Sequence, residues 1–303
     1  MRVFLTGATG LIGRALAESL LADGHELLAL SRRAAPQGLP AGARLVTGDP
    51  GLAGPWQDEL ARCDACVNLA GEPVAEGRWT EERRKRIRDS RVLSTRNVAS
   101  VIGAGGPAVL VNGSAIGYYG PRGDEVIDEA SPAGNDFLAH LALEWEEATR
   151  AAARRARVVL VRTGIVLSPD GGALPRLALP FKMLAGGAIS DGSFWQSWIH
   201  VADQVGILRL ALLDPEARGP VNATAPDPVR NRDLARALGR VLRRPSLLRA
   251  PAFAVRAVLG EMAEVVLASQ RVLPRRALAL GYRFQWPSLE PALRDLLREG
   301  ARR

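Results

Sequence analysis

A chain of 303 residues is long enough for one large α/β unit or two modest ones, and it can bury a core without a disulfide or metal staple. With 47% hydrophobic and 24% charged residues it has the balance of a soluble globular protein; two cysteines exclude a disulfide framework, and no apolar run approaches the roughly 18 residues of a membrane helix. The net charge is +8, but it comes from arginines scattered from Arg2 to Arg303, with Lys85 and Lys182 the lysines, and 5% aromatics are too few for a nucleic-acid stacking platform.

The first strand is expected at Arg2–Thr6, with no room before it for a signal peptide, so the chain is expected in the cytoplasm. It runs straight into Thr6-Gly7-Ala8-Thr9-Gly10-Leu11-Ile12-Gly13, which opens a helix at Leu11–Ala22. Glycines at 7, 10 and 13 in a strand–turn–helix setting let the backbone approach a pyrophosphate, and the helix N-terminus offers it free N–H groups. The second strand, Glu26–Ser31, ends in Ser31-Arg32-Arg33. An NAD site has a carboxylate there for the ribose 2′-hydroxyl. A serine and two guanidinium groups suit a 2′-phosphate instead, so the expected cofactor is NADP(H).

Strands follow at Arg44–Thr47 and Ala65–Ala70. Cys63 and Cys66 have redox or zinc spacing but lead into an apolar strand and lack a second ligand pair, so they read as small buried fillers, and no metal site is expected. A long helix is predicted over Thr80–Gly103, with Thr80 as cap and Glu81 and Glu82 in its first turn. Then come a strand at Ala108–Gly113, a helix at Asp136–Arg155 and a strand at Val158–Arg162. Apolar strands alternating with helices predict a doubly wound parallel sheet covered on both faces.

After Leu167 the texture changes. Ser168–Gly192 is rich in glycine and proline and reads as loops with a short helix. Val201–Leu213 is helical again and Pro220–Ala225 is a strand. Helices are expected at Asn231–Leu242, with Asn231 as cap, at Ala254–Ala268 and at Ser288–Arg298. Residues 1–165 and 198–224 are therefore assigned to a Rossmann-type domain, and 166–197 and 225–303 to a smaller, mostly helical substrate-binding lobe.

Several segments carry a family resemblance. Thr6-Gly7-x-x-Gly10-x-x-Gly13 and Asn68-Leu69-Ala70-Gly71 resemble the short-chain dehydrogenase/reductase superfamily. Ser114-Ala115-Ile116-Gly117-Tyr118-Tyr119-Gly120 and Trp198-Ile199-His200-Val201-x-Asp203 narrow this to its extended and atypical branch. Arg78-Trp79-Thr80, Arg88-Asp89-Ser90-Arg91, Pro169-Asp170-Gly171-Gly172-Ala173-Leu174, Gly260-Glu261-Met262-Ala263-Glu264 and Ser269-Gln270-Arg271-Val272-Leu273-Pro274 are similar to the sugar-nucleotide-epimerase-like "epimerase family protein" subgroup. The resemblance spans residues 2 to about 298. It implies cofactor contacts at Leu69, Ala70 and Gly71, at Arg86 and Arg91 on the following helix, and at Val166.

That superfamily works with a Tyr-x-x-x-Lys pair. Here the tyrosines are 118, 119 and 282, and four residues on stand Arg122, Gly123 and Trp286, so the dyad is missing; Phe137 and Leu141 fall at its expected positions. What the resemblance leaves near the nicotinamide is Ser114, at the end of the fifth strand, with Tyr118 or Tyr119 to polarise a carbonyl or hydroxyl. His200 reads as an anchor at a helix start beside the substrate cleft, and Asp203 suits that helix N-terminus. Phe194, Trp195, Gln196 and Trp198 are candidate pocket-lining residues. The expected function is an NADP(H)-dependent oxidoreductase or epimerase on a small carbonyl, alcohol or sugar-like substrate, as monomer or homodimer, with no nucleic-acid or membrane partner. The alternative is an NADP(H)-binding redox sensor without turnover, with the cell-division link that some relatives' labels imply.

Overall fold

A computed structural model describes residues 1–74, 77–260 and 263–299. Seven strands make its central sheet: β1 (Arg2–Thr6), β2 (Glu26–Ser31), β3 (Arg44–Thr47), β4 (Ala65–Asn68), β5 (Val109–Ala115), β6 (Arg157–Thr163) and β7 (Gly219–Ala223). They lie in the order β7-β6-β5-β4-β1-β2-β3, all neighbours parallel. Their continuous apolar runs follow from burial on both faces. One face carries α1 (Leu11–Ala22) and, later in the chain, the helix Val201–Leu213, over Val3, Leu5, Val67, Val111 and Val159. The other carries α2 (Trp56–Ala61) and α3 (Glu81–Gly103) over Phe4, Leu28, Cys66 and Leu110. Cys63 and Cys66 sit in that second core, where burial pushes both thiols up, Cys63 to about 11.

Several boundaries differ from the sequence expectation, each for a local reason. β4 stops at Asn68 because the N–H groups of Leu69 and Ala70 turn back to donate to Thr6 Oγ1, each at 3.1 Å. The helix expected to Arg155, α4, runs only over Phe137–Glu147; Asp136 caps it by accepting from Ala139 N at 2.8 Å. At its far end Thr149 Oγ1 donates to the Glu146 carbonyl at 2.7 Å, taking an acceptor the helix needs to continue, and a 3₁₀ turn follows at Ala152–Arg154. Thr80 caps α3 as expected, accepting from Arg83 N.

The remaining helices are α5 (Ala173–Lys182), α6 (Val201–Leu213), α7 (Asn231–Leu242), α8 (Ala252–Leu259), α9 (Ala263–Leu267), α10 (Arg275–Ala279) and α11 (Leu289–Glu299). Asn231 does not cap α7: its side chain is buried, accepting from Ile189 N at 2.8 Å and donating to Gln196 Oε1 at 3.2 Å. The helix expected over Ala254–Ala268 ends at Gly260, whose φ of +59° suits glycine, and helix resumes at Ala263; Glu261 and Met262 lie outside the described residues. Leu174, Phe181, Trp198, Leu234, Leu238 and Leu293 form a separate core that joins α5, α7 and α11. The fully buried Asp203 accepts from Tyr282 Oη (2.9 Å), Gln285 N (2.8 Å) and Trp286 N (2.9 Å), so its main work is to bind the C-terminal segment to α6.

Candidate active site

Strand order reverses between β1 and β4, and in such sheets ligands bind beyond the carboxyl ends of the strands at that point. The loops after both strands meet there. Gly7 has φ +71°, and a Cβ on it would lie 2.6 Å from the Leu69 carbonyl oxygen. A Cβ on Gly13 would lie 2.1 Å from the Gly7 carbonyl oxygen, so Gly13 lets α1 pack under the loop. Gly10 is the N-cap of α1 and supplies no side chain, and the first turn holds no acid. Thr9 and Gly10 are exposed, with Leu11 and Ile12 half-buried behind them. With no capping side chain and no acid in its first turn, this end of α1 presents a field that suits an anion.

At the end of β2, Ser31 is half-buried and its hydroxyl accepts from Arg33 N at 3.1 Å. Arg32 and Arg33 are exposed and form no ion pair among the described residues. Across the sheet, Thr6 Oγ1 donates to Asn68 Oδ1 at 2.6 Å, and Asn68 Nδ2 donates to Thr95 Oγ1 and Asn112 Oδ1 at 2.9 and 2.8 Å. This buried network fixes the strand ends that carry the loops. Gly71 lies against Arg91, whose guanidinium carbon would be 3.0 Å from a Cβ there. Arg91 donates to the Ile87 carbonyl at 3.0 Å and stacks over Trp145; burial pulls it down to about 10. Arg86 is exposed and pairs with Glu82 at 2.9 Å, one turn back. Val166 lies in the strand Ile165–Ser168, parallel to Trp198–His200. The following hairpin brings Gly172 against Leu11.

The residues around Ser114 form one chain of hydrogen bonds. Ser114, nearly buried, donates from Oγ to Glu146 Oε1 at 2.7 Å. Arg162 Nε and Nη2 hold both oxygens of Glu146 at 2.8 Å, and Nη1 donates to Tyr119 Oη at 3.0 Å. Tyr119 donates to Asn222 Oδ1 at 2.7 Å. The directions are forced. A guanidinium only donates, so the Tyr119 oxygen accepts from it and sends its own proton to Asn222; a carboxylate only accepts, so the Ser114 proton points to Glu146. Burial works against the Arg162 charge, but its bonds to Glu146 hold it well above the ordinary arginine value. Burial pushes Tyr119 up to about 12, and both of its hydroxyl partners are buried side chains.

Tyr118 is different. The Arg162 guanidinium lies 3.4 Å from its ring centroid, yet its hydroxyl makes no hydrogen bond among the described residues. It borders an open groove of about 750 Å³ between α3, α4 and β6, lined also by Arg96, Leu143, Glu144, Glu146, Glu147, Ala148 and Leu160. Glu146 and Arg162 were missed in the sequence; the readable signal was a charge inside an otherwise apolar core strand. Phe137 and Leu141 are packed with Trp79 and Ile87 in a small apolar cluster.

The other candidates are mostly structural. Trp198 is 1% exposed and donates to the Asp227 carbonyl at 2.9 Å, so it belongs to the second core and lines no cleft. Trp195 donates to Asp124 at 2.8 Å, and the guanidinium carbons of Arg230 and Arg271 lie 4.5 and 4.6 Å from its ring centroid, covering the ring. Gln196 is buried against Asn231. His200 caps α6, its Nδ1 accepting from Ala202 N at 3.0 Å, and its Nε2 meets Asp295 at 3.2 Å. Both contacts anchor the start of α6. Among the described residues no group of acidic, histidine and cysteine side chains fits a metal ion.

Comparison with known proteins agrees with this architecture. Residues 3–223 match the NAD dependent epimerase/dehydratase family, and residues 250–296 match a domain of unknown function, DUF1731. The "Epimerase family protein SDR39U1 homolog, chloroplastic" of Arabidopsis thaliana is 43% identical, covering 98% of this chain and 87% of its own. The epimerase family protein Mb2239 of Mycobacterium bovis is 40% identical over 96% of each chain. The crystal structure of human epimerase family protein SDR39U1 (isoform 2) with NADPH superposes with a TM-score of 0.88 at 36% identity, covering 98% of this chain and 99% of that one. The chain belongs to the NAD dependent epimerase/dehydratase family.

Proposed function

We propose that this family member is an NADP(H)-dependent oxidoreductase or epimerase acting on a small alcohol, carbonyl or sugar-like substrate. One observation carries the reading. The uncapped N-terminus of α1, cradled by Gly7, Gly10 and Gly13, lies at the sheet's switch point, while the end of β2 offers Ser31, Arg32 and Arg33 in place of a carboxylate. The NADPH in the human relative's structure supports the same choice.

Gly7 to Gly13 would hold the pyrophosphate, Arg32 and Arg33 the 2′-phosphate, and Leu69 to Gly71 the close approach of the nucleotide, with Arg91 behind them. The bound cofactor supplies two-electron chemistry at its nicotinamide ring. The protein's own part is division of labour at the end of β5. Ser114 has its proton committed to Glu146, so it offers lone pairs and receives a substrate hydroxyl. Tyr118, with an uncommitted phenol, gives or takes the proton. Residues 1–165 and 198–224 serve the nucleotide, and 166–197 and 225–303 the substrate; the separate core around α5, α7 and α11 supports that division.

The test is a fluorescence titration with NADPH and NADH in parallel, repeated on Arg32→Ala. Tight NADPH binding that weakens in the variant is the expected result; equal affinity for NADH overturns the cofactor assignment. A second reading, a cofactor-sensing protein without turnover, draws on the apolar packing of Phe137 and Leu141 where superfamily enzymes carry their dyad. Unchanged NADPH absorbance over a panel of carbonyl compounds, with NADPH-dependent capture of a partner, would favour it.

A further inference from the structure

Two segments distant in sequence meet in a small parallel pair, Gly187–Ile189 beside Leu248–Ala250. Neither neighbourhood contains an acid: residues 171–190 and 234–260 hold no Asp or Glu. In and beside these segments Leu179, Met183, Leu184, Leu247, Leu248 and Phe253 are exposed, each between 55% and 84% accessible. Leu184 holds φ +60°, a conformation a leucine side chain rarely adopts, at the tip of the turn after α5. The helix that follows, α8, reads Ala-Phe-Ala-Val-Arg-Ala-Val-Leu, with one charge in eight residues, and Phe253 stands out from its first turn.

The cations of these segments are in excess. Arg236 pairs with Asp233, and Arg240 with Glu290. Lys182, Arg243, Arg244, Arg249 and Arg256 form no ion pair among the described residues. Of the nearby acids, Glu290 is also held by Arg294, Asp191 is engaged by Ser193, and Glu264 lies on α9. The apolar side chains are thus set among exposed cations that form no ion pair among the described residues. A lipid surface asks only for apolar side chains to enter the interfacial layer and cations to meet its headgroups.

We propose that this face docks on an anionic lipid bilayer, with Met183, Leu247 and Phe253 entering the interface and the five cations that form no ion pair among the described residues lying against the phosphates. No helix among the described residues is long and apolar enough to cross a membrane, so the contact is peripheral. It departs from the expectation of no membrane partner, and it is independent of the nucleotide site.

The test is co-sedimentation of the full chain with phosphatidylcholine vesicles, with and without roughly one-third phosphatidylserine. Binding to the phosphatidylserine vesicles alone is expected. The charge-neutral double variant Leu247→Ser/Phe253→Ser should weaken it by about tenfold or more, as should Arg249→Gln/Arg256→Gln. The same charge change at the exposed Arg154 and Arg155 should weaken it less than about twofold. NADPH titration of each variant reports that the fold is intact. Absence of sedimentation overturns the proposal. So does binding that survives the Leu247/Phe253 change or that falls equally with Arg154 and Arg155, since either would reflect net charge alone. Lipid-free self-association abolished by Leu247→Ser/Phe253→Ser would also overturn it, assigning the face to a second copy.

Discussion

Replacing Glu146 by glutamine removes one charge and almost no volume, and so isolates what the carboxylate does. In the native protein it faces Arg162 through two hydrogen bonds of 2.8 Å, and the two side chains are 10% and 4% exposed. Solvent can do little to screen the guanidinium once its partner is neutral. Breaking a buried pair from one side is worth about 3–5 kcal/mol. Glutamine still offers one carbonyl oxygen to Arg162, so the expected loss lies near the lower end, about 3 kcal/mol. An unfolding entropy of about 2.1 cal/mol/K per residue gives about 0.6 kcal/mol/K for 303 residues. The melting temperature should therefore fall by about 5 °C. Scanning calorimetry at neutral pH measures it. The paired change Glu146→Leu/Arg162→Met removes both charges and should recover part of the loss, because no charge is left buried and unmatched although Ser114 and Tyr119 each lose a partner. A drop below about 1 °C for Glu146→Gln, or a double variant as unstable as the sum of its parts, would refute the claim that this pair organises the end of β5.

Gly13→Ala should abolish measurable NADPH binding, because the new methyl would lie 2.1 Å from the Gly7 carbonyl and must push the loop from α1. Titration against a circular-dichroism melt separates the site effect from global unfolding. Arg32→Ala/Arg33→Ala should lower NADPH affinity by about tenfold to a hundredfold, the worth of one or two charge-assisted bonds, and leave NADH affinity nearly unchanged. Alkaline stability should also fall in a defined window. Tyr119 is raised to about 12 and Cys63 to about 11 in the fold, above their ordinary 10.0 and 9.0. Each fold-raised acid contributes stability that is whole below its unfolded value and is lost as pH climbs through the folded one, so melting temperature should decline from about pH 9 to about pH 12. Tyr119→Phe should flatten the upper part of that decline.

The nucleotide half was legible because its determinants are local. A strand, three glycines and a helix stand within twelve residues, and steric demands at Gly7 and Gly13 act through neighbours in the same turn or the next loop. The serine and arginines after β2 needed only the strand's end to be placed. Element ends were less legible. β4 and α4 stop early because the Thr6 and Thr149 side chains bond to backbone groups that regular structure would otherwise use.

The candidate catalytic end, around Ser114, was read only in outline, and the reason is topological. Ser114, Glu146 and Arg162 come from β5, α4 and β6, and nothing in their spacing says that a helix will drop a carboxylate between two strand ends. Sequence supplied Ser114, with Tyr118 or Tyr119 as alternative partners. The structure separates them by where each proton goes. Tyr119 accepts from Arg162 and gives to Asn222; Ser114 gives to Glu146; Tyr118 is left with its phenol uncommitted. That polarity follows from a single guanidinium that cannot accept a hydrogen bond, and it reaches Ser114 through Glu146. Tyr118→Phe should therefore abolish turnover on an alcohol substrate while sparing NADPH affinity. Tyr119→Phe should leave turnover within about an order of magnitude and register mainly as lost stability, about 1–3 kcal/mol for the unsatisfied partners it leaves. If the two variants were instead equally inactive and equally stable, the inferred direction of the hydrogen-bond chain would be wrong.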